Sequence, residues 1–407
     1  MLNFKMQTNM PTVRGLKYRI AQGLHAAGNR IFSPDSSSIL NIGADTIGFE
    51  GKRAAVIYTI RAIAHHVAGD VNKYARINEH TMYWESAEMV KQLNQAGYIV
   101  DYYDSFSSFS IDWEKYDLVI DEQDSVPLQS NEYEFIKIYY STGNHWLFHN
   151  KAELDRIWAF HERHGIYESP KRQIPALFTD QTSDFITYFG ADFQTQYFDS
   201  RPEKQLLNIS AVYEPDFVRK NYNEARNKFI WLGSQGLLLK GLDLAVESFM
   251  KMPDKQLYIC GNAEVETVFW HWLKPIINNH SNIHYMGWTD VGSKQFAKLA
   301  HSCVGTVYAS STEGGAGSVA QLTHFGLIPI VTESAAVRSA EALGLVIRTQ
   351  EPSEIINQLV QFVSEVADLP DSELHSRCQA VYEFGRQFHT RKAYSQSFAS
   401  LLEKVVS

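Results

Sequence analysis

From residue 53 onward the sequence alternates short apolar runs with longer amphipathic stretches, and glycines or polar turns follow most of the runs. A parallel sheet covered by helices produces this pattern, because its strands are buried on both faces and each needs a helical crossover. In the first half, the runs at 53–60 (RAAVIYTI), 98–103, 118–121 and 135–141 read as strands. Helical periods cover 79–96 and 151–164 and stop at Gly97 and Gly165, the residue type that tolerates the left-handed turn ending a helix. A further helix–strand passage runs to about 212. In the second half, strands at 228–232, 256–260, 282–285, 304–308 and 328–331 interleave with helices at 242–250, 264–278, 293–300 and one starting near Gly317. Helices dominate beyond 352.

The chain has 407 residues, of which 44% are hydrophobic. At roughly 150 residues per domain that length favours two or three units, and the element pattern settles on two. The fold class is therefore α/β, with two doubly wound, Rossmann-like domains. The expected boundaries are an N-terminal extension over 1–50, partly helical, a first domain over 51–215 and a linker over 216–227. A second domain covers 228–385, and a closing helix 386–407.

Charge narrows the function. Lys and Arg number 37 against 46 Asp and Glu, a net charge of −9. A protein whose main partner is a nucleic-acid backbone needs the opposite balance, so nucleic acid is not expected as a partner. Cys260, Cys303 and Cys378 are too few and too scattered for a disulfide framework or a four-ligand zinc site, and they fit a reducing, cytoplasmic setting. No run reaches the roughly 18 apolar residues of a membrane span, and no cleavable apolar leader is recognisable. Residues 1–31 are the exception in charge, with Lys5, Arg14, Lys17, Arg19 and Arg30 and no acidic side chain. Val13, Leu16, Ile20, Leu24 and Ala27 recur there at helical spacing. An interfacial helix giving peripheral membrane contact, a transit peptide and a helix packed on the first domain all fit.

The motifs gather at strand ends. Residues 310–332 (SSTEGGAGSVAQLTHFGLIPIVT) run from a strand through a glycine-rich loop into a helix and a second strand. With Gly314, Gly315 and Gly317, the loop leaves backbone N–H groups from Gly314 through Ala316 to Ser318 open to an anion such as phosphate. Glu313 would repel bare phosphate but could accept from sugar hydroxyls, so the loop suits a ligand with both parts. A tight strand–helix turn without a ligand is the plain alternative. Residues 229–249 (FIWLGSQGLLLKGLDLAVESF) place Gly233, then Lys240 and Gly241 before a helix, where the ammonium can add a point charge for a diphosphate. GxxxxGK[ST] and GxGxxG are both absent, which argues against a P-loop and a dinucleotide oxidoreductase. Gly261 and Asn262 make a third strand-end turn.

Taken in order, these elements over 228–405 resemble the donor-binding half of GT-B glycosyltransferases, nearest to the retaining family-four branch. Over 53–212 the likeness is architectural. The resemblance implies two domains facing a cleft, a final helix crossing back to the first domain, and transfer of a sugar from a nucleotide-diphosphate sugar to a glycan, glycolipid or other hydroxyl acceptor. It implies retention, and no metal or other cofactor. Lys240 would contact the donor diphosphate with Gly233 and Ser234, and Glu313 the sugar hydroxyls. The amides of Gly314, Gly315, Ala316, Gly317 and Ser318 would hold sugar and phosphate. His145, in TGNHW after the strand at 135–141, matches the family's histidine that faces the donor sugar, with His149 and His80 as competitors. Three departures stand out. Ser234 occupies the place of an arginine that backs up the lysine. Gln321 replaces a second glutamate that binds ribose. No glycine pair follows the first strand.

Gly261, Asn262 and Trp288 are candidates for the nucleobase pocket, Trp288 equally as core. Asp121 to Asp124 (DEQD) reads as a solvated strand end or acceptor contact rather than a metal site. The HxxxH pair His145/His149 lacks the glutamate of a zinc motif. Two rivals remain: a nucleotide-sugar epimerase on the same fold, and a non-catalytic sugar-nucleotide-binding or partner subunit.

Overall fold

The computed structural model describes residues 37–126 and 133–406. The basic stretch 1–31 and the readings placed on it lie outside the described residues.

The first sheet holds seven strands: β1 (Ser38–Ile42), β2 (Lys52–Tyr58), β3 (Tyr98–Asp104), β4 (Leu118–Asp121), β5 (Ile136–Tyr140), β6 (Phe185–Tyr188) and β7 (Glu203–Leu206). Their order is β1-β3-β2-β4-β5-β6-β7. All pairs are parallel except β1 with β3. The second sheet holds β8 (Lys228–Leu232), β9 (Gln256–Cys260), β10 (Ile283–Gly287), β11 (Gly305–Tyr308), β12 (Ile328–Thr332) and β13 (Leu345–Ile347) in the order β10-β9-β8-β11-β12-β13, parallel throughout. In each sheet the winding reverses beside the first parallel strand, between β2 and β4 and between β8 and β11. Crevices open outside the carboxyl ends of strands at such reversals, and ligands bind there.

Two helices exchange partners between the cores. The helix Trp146–His164 follows β5, yet its Ile157 and Phe160 are buried with Phe229, Trp231 and Phe249 of the second core. Each such side chain is worth about 1.5–3 kcal/mol on burial. Its polar rim joins the same unit, with Arg163 bound to Asp243 and 3.1 Å from Glu247, and Arg156 donating to the Ala309 carbonyl at 3.0 Å. In the other direction, the closing helix Arg391–Val406 buries Tyr394, Phe398, Leu401 and Leu402 in the first core, and the hydroxyls of Tyr394 and Tyr140 meet at 3.0 Å.

Several sequence readings are corrected. The helix expected from 151 starts at Trp146, because the His145 side chain accepts the Leu147 N–H and caps it. The helix–strand passage to 212 contains strands but, among the described residues, only 3₁₀ turns at Thr179–Gln181 and Asp192–Tyr197. Residues 166–176 form an irregular strap instead. The buried carboxylate of Glu153 pins it by accepting from the N–H groups of Lys171 and Arg172 and from the Gln173 amide. The stretch read as an extension contains β1, and the stretch read as linker contains the one-turn helix Tyr222–Ala225. No helix among the described residues is long and apolar enough to cross a membrane.

Candidate active site

The carboxyl ends of β8 and β11 carry the two charged residues singled out in the sequence, and the fold joins them directly. Lys240 and Glu313 form an ion pair. Tyr308, the last residue of β11, completes the cluster: its hydroxyl donates to Glu313 Oε1 at 2.8 Å and accepts from Lys240 Nζ at 3.1 Å. Gly241 makes this approach feasible. It adopts φ +69°, and a Cβ there would stand 2.2 Å from the Ala309 carbonyl oxygen. Burial lowers the Lys240 pKa against the pull of Glu313. Burial acts to raise Glu313, but the charges of Lys240 and Arg172 and the two hydrogen bonds outweigh it and hold the carboxyl below its usual range.

The glycine loop sits between this cluster and the first domain. A Cβ on Gly314 would stand 2.2 Å from the Thr142 carbonyl oxygen, so the loop after β5 requires glycine there. Asn144 fixes that contact, donating to Thr312 Oγ1 at 2.9 Å and to the Glu313 carbonyl at 3.1 Å. Gln194 braces the neighbouring loop by donating to the Gly143 carbonyl and accepting from Phe189 and Gly190. Ala316 holds a left-handed φ of +46° just before the helix Gly317–Thr323. That helix has seven residues, so any anion binding would rest on loop amides more than on a helix dipole. The N–H groups from Gly314 to Ser318 donate to no described residue.

The histidines sort by what they face. His145 is spent on its own helix, its Nε2 lies 3.7 Å from Asp180, and its ring packs on Phe198. Nothing links it to Glu313. Of the two competitors, His149 reaches the strap beside the cluster. His149 Nε2 meets the Arg172 carbonyl at 2.8 Å, and its titration feels Arg172 and Glu313. His80 is exposed and its Nδ1 accepts the Met82 N–H, capping the helix Thr81–Gln95, while the charges of Arg172 and Lys240 act to lower its pKa. Arg172 and Tyr308 are thus site members that the sequence reading missed. Tyr308 carries a signal, ending the strand that feeds Glu313, whereas Arg172 lies in a strap with no periodicity.

The remaining candidates scatter. Gln321 is 4% exposed, and its amide is committed to the backbone of Val212 and Tyr213 at 2.6–3.1 Å, so it clamps the interdomain segment and offers nothing to a ribose. Gly233 and Gly261 pack together over the Trp231 ring. Ser234 and Asn262 are exposed beside them. Trp288 is 70% exposed just past β10, on the same edge, which corrects the core alternative. The DEQD cluster is not a solvated strand end. Asp121 is wholly buried and bonded to Gln123 and Ser125, with its pKa raised by burial to about 6. Glu122 turns to Ser105 and Thr142, and burial raises it to about 7. Asp124 accepts from Phe178 N, so the carboxylates diverge. Among the described residues no group of three or more His, Cys, Asp or Glu is placed to hold a metal ion.

No family model and no curated protein matches the chain by sequence. The likeness lies in the fold. Sucrose-phosphate synthase from Thermosynechococcus elongatus superposes with a TM-score of 0.55 at 11% identity, covering 87% of this chain and 99% of that one. WaaG, a glycosyltransferase involved in lipopolysaccharide biosynthesis, gives 0.49 at 13% identity over 87% and 99%. The pneumococcal O-GlcNAc transferase GtfA, crystallised with UDP and GlcNAc, gives 0.46 at 14% identity over 71% of this chain and 57% of its own length. Scores below 0.5 are too loose to weigh, but the first match spans both sheets. The chain has the two-domain α/β fold of GT-B glycosyltransferases.

Proposed function

We propose that the protein is a glycosyltransferase. It moves a sugar from a nucleotide-diphosphate sugar to a hydroxyl of a glycan, glycolipid or other acceptor, with retention and without a metal. The observation that carries this reading is the Lys240–Tyr308–Glu313 cluster. It lies at the winding reversal of the second sheet, beside a glycine loop whose amides donate to no described residue and which packs against the first-domain loop after β5. A cytoplasmic location, with any membrane contact confined to the segment 1–31, accords with the charge pattern.

Chemically, the bond between the anomeric carbon and the diphosphate oxygen breaks and a bond to the acceptor oxygen forms. The acceptor proton passes to the departing diphosphate. Loop amides and Lys240 stabilise the charge growing on the leaving group, and Glu313 orients the sugar through its hydroxyls. A second reading, a sugar-nucleotide-binding subunit without transfer, is favoured by two features: Lys240 and Glu313 neutralise each other, and Gln321 is already engaged.

A panel of uridine, adenosine, guanosine and thymidine diphosphate sugars, screened by thermal shift and then by release of nucleoside diphosphate with mixed glycan and lipid acceptors, separates the readings. Release that Glu313→Ala abolishes, in protein shown folded by circular dichroism, supports transfer. Binding without release supports the second reading. Absence of binding by any member sinks both.

A further inference from the structure

We propose that Arg172, carried on the first domain's strap, is the second cation for the donor diphosphate and fills the role that Ser234 cannot. The inference rests on the glycosyl-transfer reading and adds to it a residue from outside the second sheet.

Placement comes first. Arg172 lies against Gly236, two residues past Ser234. Gly236 has φ +87°, and a Cβ on it would stand 2.7 Å from Arg172 Cγ, so the loop after β8 is shaped around this side chain. The Arg172 backbone is held on both sides: its N–H donates to Glu153 Oε1 at 2.8 Å and its carbonyl meets His149 Nε2 at 2.8 Å. The strap is fastened to the second domain as well, since Glu168 accepts from Phe269 N at 3.0 Å. By contrast, the guanidinium donates to no described residue. An arginine whose backbone is fixed and whose five N–H donors are unspent is prepared for an oxyanion.

Charge gives the second argument. The Lys240 ammonium and the Glu313 carboxylate cancel. His149 is buried and thereby held toward its neutral form. The Arg172 charge acts on Lys240, Glu313 and Tyr308, and on His149, whose Nε2 meets its carbonyl. Without it the Lys240–Glu313 pair sums to zero and Glu266 adds a negative charge nearby, in a chain whose net charge is −9. Arg172 supplies a positive charge at the loop where Glu266 accepts from the N–H groups of Gly236 and Leu237.

The test is isothermal titration of UDP, ADP and GDP, and of the matching monophosphates, against wild type and Arg172→Ala. For whichever base binds, the variant is expected to weaken the diphosphate about 10- to 100-fold, the range of one charge-assisted contact, and to leave the monophosphate within about threefold. Arg172→Lys, which keeps the charge, should lie between, and Ser234→Arg added to Arg172→Ala should recover affinity. Equal diphosphate affinity in wild type and Arg172→Ala, or equal loss for mono- and diphosphate, overturns the inference while leaving glycosyl transfer standing. Failure of wild type to bind any nucleotide overturns the transfer reading itself, and this inference with it.

Discussion

Replacing Glu313 by Gln keeps the shape and hydrogen-bonding atoms of the site while removing its negative charge. Lys240, whose side chain is 8% exposed, then remains buried without its counter-ion. Breaking a buried pair in this way costs about 3–5 kcal/mol. Deprotonation offers Lys240 an escape, and its cost at pH 7 bounds the penalty independently: from an unfolded pKa near 10.4 it is about 4.6 kcal/mol at 1.36 kcal/mol per pH unit. The two figures agree, and the second fixes a pH dependence. In the variant the folded-state Lys240 pKa lies below the unfolded value, so the unfolded chain binds more protons between them and stability rises with pH across that window. The penalty should shrink to about 1 kcal/mol near pH 9.5. At roughly 2–4 °C per kcal/mol, differential scanning calorimetry at pH 7 should show Tm lowered by about 6–20 °C, with most of the gap to wild type closed by pH 9.5. Adding Lys240→Met removes the stranded ammonium and should recover most of the loss, a coupling of about 2–3 kcal/mol. Strict additivity of the two substitutions, or a gap indifferent to pH, would refute the claim that these residues compensate each other. The result also bears on activity assays, because loss of function in a Glu313 variant is informative only below its lowered Tm.

Two further outcomes follow from the geometry. Gln321→Ala should lower stability by about 2–3 kcal/mol, since it releases the backbone of Val212 and Tyr213 from three hydrogen bonds, yet change nucleotide affinity less than about threefold. A large affinity loss in titration calorimetry at unchanged Tm would restore Gln321 to the ribose. Glu85 is buried beneath Ser210, and burial raises its pKa to about 7. The folded state therefore holds its proton more tightly than the unfolded chain. This contribution is complete below about pH 4.3 and is lost as pH rises through about 7; its size is roughly 4 kcal/mol. Glu85→Gln should remove that pH-dependent part, so the difference in Tm between wild type and variant must change across pH 4.5–7, and a constant difference refutes it.

How much the sequence disclosed depends on the range of the interaction. The strands β8, β9 and β11 are continuous apolar runs because both faces are covered, and a run of that kind is visible within five residues. Lys240 and Glu313 were visible for equally local reasons, Lys240 just before a helix start and Glu313 in the loop after such a run. The allegiance of the helix Trp146–His164 was not. Its pattern says that one face is buried, and nothing in it says that the burying surface is made by Phe229 and Trp231 rather than by the strand just before it. The surroundings of His145 were hidden for the same reason. Proximity to a strand end favoured it, but a residue at the start of a helix can spend its ring on the helix's own N–H group, and that leaves His149, one turn on, to face the strap.

The glycine loop shows how a correct motif can be read for an incomplete reason. From sequence alone its glycines suggest backbone opened to an anion. In the fold, Gly314 is demanded by the Thr142 carbonyl at 2.2 Å, and Gly315 holds φ +105° while packed on Gly190, so both would be glycine with no ligand at all. Gly317 differs. Its φ is not in the left-handed region, and a Cβ there would meet nothing nearer than Ile209 Cγ2 at 4.0 Å. Neither backbone strain nor packing explains the absence of a side chain at the exposed first residue of the helix. Space kept clear beside unspent amides, a few residues from Glu313, is what a diphosphate sugar would require. Of the three glycines, then, it is Gly317 that speaks for a ligand.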